Sequence, residues 1–146
     1  MVAAVTPSLI ILPAIGFGLI LGVIELFLIK GDEAFQGSHW FSHGLHIFPT
    51  LIIALLISMN VDFFLTQFGE SLPVWLQSGL MIRIAIALIV TIKVYIGSSV
   101  VAGARGKGMH ESLIHCLVIG GLVGAAPYLW PLVEPFMPTW LGGSGE

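Results

Sequence analysis

The chain has 146 residues, of which 57% are hydrophobic and only 9% are charged, whereas a soluble domain carries roughly 25% charged residues. Its net charge is −3 with only five Lys and Arg, which excludes a basic surface for nucleic acid. The single cysteine, Cys116, excludes an internal disulfide. This composition indicates an integral membrane protein.

Four apolar segments take up most of the chain, and each is long enough to cross a bilayer. About 20 helical residues cover the ~30 Å hydrocarbon layer, because each residue adds ~1.5 Å. Continuous apolar runs within these segments lack the alternation of a membrane β-barrel. We therefore predict a single all-α domain, a bundle of four transmembrane helices. The predicted spans are residues 8–29, 47–68, 74–101 and 111–133, and a tail rich in Pro and Trp follows at 134–146.

The segment between the first two spans, residues 33–46, is too polar to cross a membrane and too aromatic for a free linker. Trp40 and Phe41 have side chains that suit the headgroup level. We therefore predict a short interfacial segment here.

The basic residues predict the orientation. Lys30, Arg105 and Lys107 all lie in the loops after the first and third spans, which share one side of the membrane. Cytoplasmic loops carry an excess of Lys and Arg. We expect a protein of the cell membrane with both termini on the outer side.

Two stripes of small residues predict helix packing. Gly18, Gly22 and Glu25 share one face of the first span, and Gly120 and Gly124 share one face of the fourth. Glycines at this spacing let another helix approach closely. The alternative is that these glycines face lipid.

Four ionisable residues lie within the spans, and each would cost about 2.5–3.5 kcal/mol at the bilayer centre. Counting depth at ~1.5 Å per residue places Asp62 near Arg83 and Glu25 near Lys93. We predict these two pairs as locks between helices. The alternatives are that Lys93 and Glu25 only reach the headgroups, or that the charges form an ion or proton pathway in which Glu25 carries the proton.

A group of histidines is the one candidate metal site. His39, His43 and His46 would share one face of a helix, and Glu111 and His115 lie at the start of the fourth span on the same side. Neutral imidazoles bind Zn, Cu, Fe and Ni, so these five residues could hold a transition metal or a haem. The alternative is that the imidazoles contact headgroups.

Three functions fit these features. The first is a small non-catalytic subunit of a larger membrane complex, or an oligomer, whose glycine-lined faces contact other subunits or copies of itself. The second is an oligomeric ion or proton transporter that uses the intramembrane charges. The third is a redox subunit with a metal or haem on the histidines. We expect no catalysis by the chain alone, because residues 110–115 have one residue too many for the zinc-protease motif H-E-x-x-H.

Overall fold

A computed structural model describes residues 7–31, 40–100 and 112–144. All regular secondary structure in these ranges is helical, which confirms the predicted all-α class. The α-helices found there are α1 (Leu12–Gly31), α2 (Trp40–Met59), α3 (Val61–Phe68), α4 (Gly79–Val100) and α5 (Leu113–Val133). Short 3₁₀ helices follow α3 and α5, at Gly69–Ser71, Val74–Leu76, Glu134–Phe136 and Thr139–Leu141.

Three of these helices, α1, α4 and α5, are long and apolar enough to cross a membrane. The second predicted span is broken into α2 and α3, which pass the same test together but are bent by 54°. The described residues therefore contain three such helices, or four if the bent pair is one span. The predicted interfacial segment lies partly outside the described residues, and its described part, from Trp40 onward, is the beginning of α2.

The bend between α2 and α3 occurs at Asn60 and not at a proline. The Asn60 N–H donates to the Ile57 carbonyl (3.1 Å), one residue closer than in a regular α-helix. The carbonyl of Leu56, which this N–H would otherwise bond, accepts from Asn60 Nδ2 (2.7 Å) instead. The α-helical pattern resumes when the N–H of Phe64 donates to the Asn60 carbonyl (3.0 Å). The Asn60 side chain thus provides the hydrogen bond that the Leu56 carbonyl loses at the bend.

The helices pair as two antiparallel hairpins, α1 with α2 and α4 with α5. Gly18 lies opposite Ile52 and Gly22 lies opposite Phe48, so α1 and α2 run in opposite directions. The hairpins meet mainly where α2 faces α5 and α4. There the Ser58 hydroxyl donates to the carbonyl of Val123 (2.7 Å). The buried apolar side chains of all four long helices form one core between the hairpins.

Both ends of the described chain lie at one end of the bundle, which we call the terminal end. The backbone of Ile10 is hydrogen-bonded to Asn60 at the bend. The last described residues return to the start of α1, where Gly142 packs on Pro13 and Met137 packs on Gly16. The other end, where α1 finishes and α5 begins, is called the opposite end below.

Candidate functional site

The four glycines that the sequence singled out all serve contacts within the chain. A Cβ added at Gly18 would lie 3.1 Å from the Cα of Ile52, and one at Gly120 would lie 2.5 Å from the carbonyl oxygen of Ala87. The space beside Gly22 is occupied in the same way by α2, and the space beside Gly124 by α4. These faces let the helices of each hairpin approach closely, and contacts of the same faces with other subunits stay a prediction.

Asp62 and Arg83 meet near the terminal end. Arg83 Nη2 donates to Asp62 Oδ2 (2.8 Å), and the guanidinium also lies 5.5 Å from the ring centre of Tyr128. The two partners differ in exposure: the Arg83 side chain is 6% exposed and that of Asp62 is 66% exposed. Arg83 Nε finds no hydrogen-bond partner among the described residues. The ion pair therefore joins α3 to α4 at the edge of the bundle and is not fully buried.

Glu25 contacts His115, which joins α1 to α5 near the opposite end. The distance between Glu25 Oε2 and His115 Nε2 is 2.8 Å. Both side chains are enclosed, since Glu25 is 0% exposed and His115 is 8% exposed. A carboxylate and an imidazole at this distance share a hydrogen bond whose proton can reside on either group.

The predicted partner of Glu25 was Lys93, and the structure corrects this pairing. No ion pair joins the two residues, both of which lie in the described part of the chain. Lys93 is exposed on α4, whereas α1 packs mainly against α2 and α5. Counted at ~1.5 Å per residue from the inner ends of the predicted spans, His115 lies about 6 Å deep, level with Glu25, whereas Lys93 lies about 12 Å deep.

The five residues of the predicted metal site are only partly covered by the structure. His39, Glu111 and the side chain of His43 lie outside the described residues. His46 is exposed on α2, and His115 contacts Glu25. Within the described ranges, no three His, Cys, Asp or Glu residues converge as a metal site would require. A metal or haem at the opposite end stays a prediction.

Asn60 is a polar contact that sequence reasoning missed. Its Oδ1 accepts from the N–H of Ile10 (2.6 Å) and its Nδ2 donates to the carbonyl of Ile10 (2.8 Å). This reciprocal pair of bonds holds the segment before α1 against the bend. Its partner is backbone far away in the chain, so no spacing of side chains could reveal it. The signal that was available is the cost of an unsatisfied amide within an apolar run.

Comparison with known proteins adds no relative, because no family model, curated protein or solved structure matches this chain significantly.

Proposed function

We propose that the chain is an integral protein of the cell membrane with four spans, in which α2 and α3 together form one bent span. Three long apolar helices and the apolar bent pair support this count. Both ends of the described chain lie at the terminal end, as an even number of spans requires. Lys30 is exposed at the other end of α1, whereas the exposed Trp75 and Trp140 lie toward the terminal end. We assign the terminal end to the outer side, because basic residues favour the cytoplasmic side.

The orientation can be tested by labelling single cysteines in intact cells with an impermeant thiol reagent. The background is Cys116→Ser, which removes the natural thiol. We expect Ser144→Cys to be labelled and Lys107→Cys to be labelled only after the membrane is opened. The reverse pattern would overturn the orientation.

We further propose that the chain works as a small non-catalytic subunit of a membrane assembly. The observation that carries this proposal is the use of the polar side chains within the long helices. Ser58 donates to a backbone carbonyl of α5. The Thr91 hydroxyl lies 2.9 Å from the Ala87 carbonyl of its own helix and 3.3 Å from the Cys116 carbonyl of α5. Asn60 holds the segment before α1, and Arg83 holds Asp62. These groups hold helices together, while the outer surface of the long helices is apolar and suited to lipid or to other subunits.

The test of this role is the state of the native protein after gentle solubilisation. We expect the chain to migrate in a particle of defined mass together with other polypeptides or further copies of itself. Native mass and subunit composition measure this directly. A chain that is recovered only as a monomer from its natural membrane would contradict the proposal.

The buried Glu25–His115 contact favours a second candidate, an oligomeric proton carrier. Ionisable residues inside a membrane bundle commonly mark ion or proton pathways, and both groups of this pair exchange protons. Purified protein in liposomes with an internal pH-sensitive dye would measure the flux. If this function holds, Glu25→Gln abolishes the flux and Asp62→Asn, at the exposed pair, preserves it. Liposomes with native protein that leak protons no faster than empty ones would contradict this candidate.

A further inference from the structure

The terminal end carries two copies of one short motif. After α3, and again after α5, two 3₁₀ helices follow each other, and a proline directly precedes the second of them. The sequence Pro-x-Trp-Leu is common to both copies, at residues 73–76 and 138–141. We call residues 69–76 the Trp75 elbow and residues 134–141 the Trp140 elbow. One elbow thus ends each of the two helical hairpins.

The two elbows have the same backbone conformation. The proline before the second 3₁₀ helix is extended in both, with ψ of 147° at Pro73 and 149° at Pro138. Its carbonyl accepts from the N–H of the leucine three residues on, at 2.8 Å for Leu76 and 2.9 Å for Leu141. Because proline fixes its own φ and cannot donate, the same short sequence sets the same turn twice. The tryptophan before each leucine is therefore held in the same local geometry.

Both elbows present their tryptophan outward to nearly the same extent. Trp75 is 68% exposed and Trp140 is 70% exposed, whereas the leucine that follows each of them is half-buried. In the described part of the chain, neither indole N–H has a hydrogen-bond acceptor. An indole combines a large apolar body with one polar donor, so it is most stable where apolar and polar surroundings meet.

The elbows lie where the candidate spans meet the outer side. On this side the spans end or begin at three residues: Ser71, Gly79 and Phe136. Trp75 lies between the first two of them, and Trp140 follows the third. Each elbow also contains one glutamate, Glu70 or Glu134, and a charged side chain is costly within the hydrocarbon. These positions favour the headgroup level over the interior of the bilayer.

We propose that the two elbows are paired anchors that bind the headgroup layer of the outer leaflet, with Trp75 and Trp140 at the same depth. This inference rests on the proposed membrane placement of the chain. The ring faces contact the beginning of the acyl chains, and each indole N–H donates to a lipid oxygen at the headgroup level. Tryptophan is enriched at this level in membrane proteins for the same reason. The pair holds both hairpins at one level in the membrane.

The test measures the depth of each tryptophan in the full chain, labelled with fluorotryptophan and placed in phosphatidylcholine nanodiscs. Trp75→Phe and Trp140→Phe each remove one fluorine NMR signal and thereby assign it, while the other tryptophans stay in place. A nitroxide on the lipid, either at the headgroup or at the end of an acyl chain, broadens the signals of nearby fluorines. We expect both signals to broaden at least about twofold more with the headgroup label, and to equal extents, because interfacial tryptophans lie at the headgroup level.

Ile89→Trp is the control for membrane insertion, because Ile89 is exposed near the middle of α4. Its added signal should broaden mainly with the label at the end of the acyl chain. If this control responds but neither label broadens Trp75 and Trp140, the elbows lie in water or against another protein, which overturns the inference and leaves the membrane placement standing. Clearly different depths of the two tryptophans would overturn it as well. If Ile89→Trp responds to neither label, the chain does not span the bilayer and the proposed function fails too.

Discussion

Two contacts between ionisable side chains in the described part of the chain have the same length but very different surroundings. The Arg83–Asp62 and Glu25–His115 distances are both 2.8 Å. Asp62 is largely exposed, so the other helices do not enclose its half of the first pair. Both members of the second pair are enclosed by the helices. Because desolvation and electrostatic attraction both grow as water is excluded, the second pair should be far more sensitive to loss of one partner.

The Arg83–Asp62 pair has neighbouring contacts that hold the same end of the bundle. At the terminal end, the Arg83–Asp62 pair is joined by the hydrogen bonds of Asn60 and by the packing of Gly142 on Pro13. Loss of one contact there leaves the others in place. Glu25 and His115 are both enclosed near the opposite end, so a group that loses the other there stays buried. Removal of one partner should therefore destabilise the two pairs to different extents, although their distances are equal.

The largest loss of stability is expected from Glu25→Ala. The substitution leaves His115 enclosed without its carboxylate, and breaking a buried pair in this way costs about 3–5 kcal/mol. The free energy of unfolding in detergent micelles measures the loss. The expected difference between the two pairs would be contradicted if Glu25→Ala were no more destabilising than Asp62→Asn.

A double variant sharpens this result. Glu25→Met combined with His115→Leu removes both polar groups and fills much of their volume. Apolar replacement of both members of a buried pair is often neutral or stabilising. We therefore expect the double variant to recover most of the stability that Glu25→Ala loses. If it is as unstable as the single variant, the loss reflects the size of the side chain and not the broken pair.

Asn60→Ala should give the next largest effect, at the terminal end. It removes three hydrogen bonds and leaves backbone groups of Ile10 and Leu56 unsatisfied. We expect a loss of about 2–3 kcal/mol, since each buried polar group without a partner costs about 1–3 kcal/mol and some of these groups will find water.

The free energy of unfolding and the rate of limited proteolysis together measure the effect of Asn60→Ala. The chain before α1 should become more susceptible to cleavage, because its bonds to the bend are lost. Thr66→Ala is the matched control: its hydroxyl bonds only the helix backbone nearby and is exposed, so the change should cost less than about 0.5 kcal/mol. Equal behaviour of the two variants would show that Asn60 does not hold this segment.

The sequence predicts the helices well and the contacts between them only in part. Long apolar runs identify the helices, because only an internally hydrogen-bonded segment can satisfy its backbone in lipid. Depth counting finds Asp62 with Arg83, since the short connection after α3 makes α3 and α4 neighbours. It fails for Glu25, because pairing acids only with Lys and Arg leaves out His115, a histidine that lies at the same depth as Glu25.

Gly142→Ala should destabilise the terminal end by about 1–2 kcal/mol. Gly142 has a φ of 84°, where a side chain is strained, and an added Cβ would lie 3.1 Å from the Pro13 nitrogen. Gly121→Ala is the control, because a Cβ there meets nothing within 4 Å. In the interior of α5 that change should be neutral or stabilise by up to about 1 kcal/mol. Unfolding measurements that rank the two variants in the opposite order would contradict the packing of the tail on α1.

The smallest effect is expected from Asp62→Asn, which should cost less than about 1 kcal/mol. The other helices leave the carboxylate largely exposed, within about two turns of the terminal end of α3, and ion pairs that water reaches contribute about 0.2–1 kcal/mol. The asparagine oxygen can still accept from Arg83 Nη2. A cycle with Arg83→Gln and the double variant isolates the coupling between the two side chains. That coupling should fall at 1 M salt, where charges are screened beyond about 3 Å. A coupling that is large and indifferent to salt would mean that the pair is as enclosed as Glu25–His115, and the contrast between the two ends of the bundle would disappear.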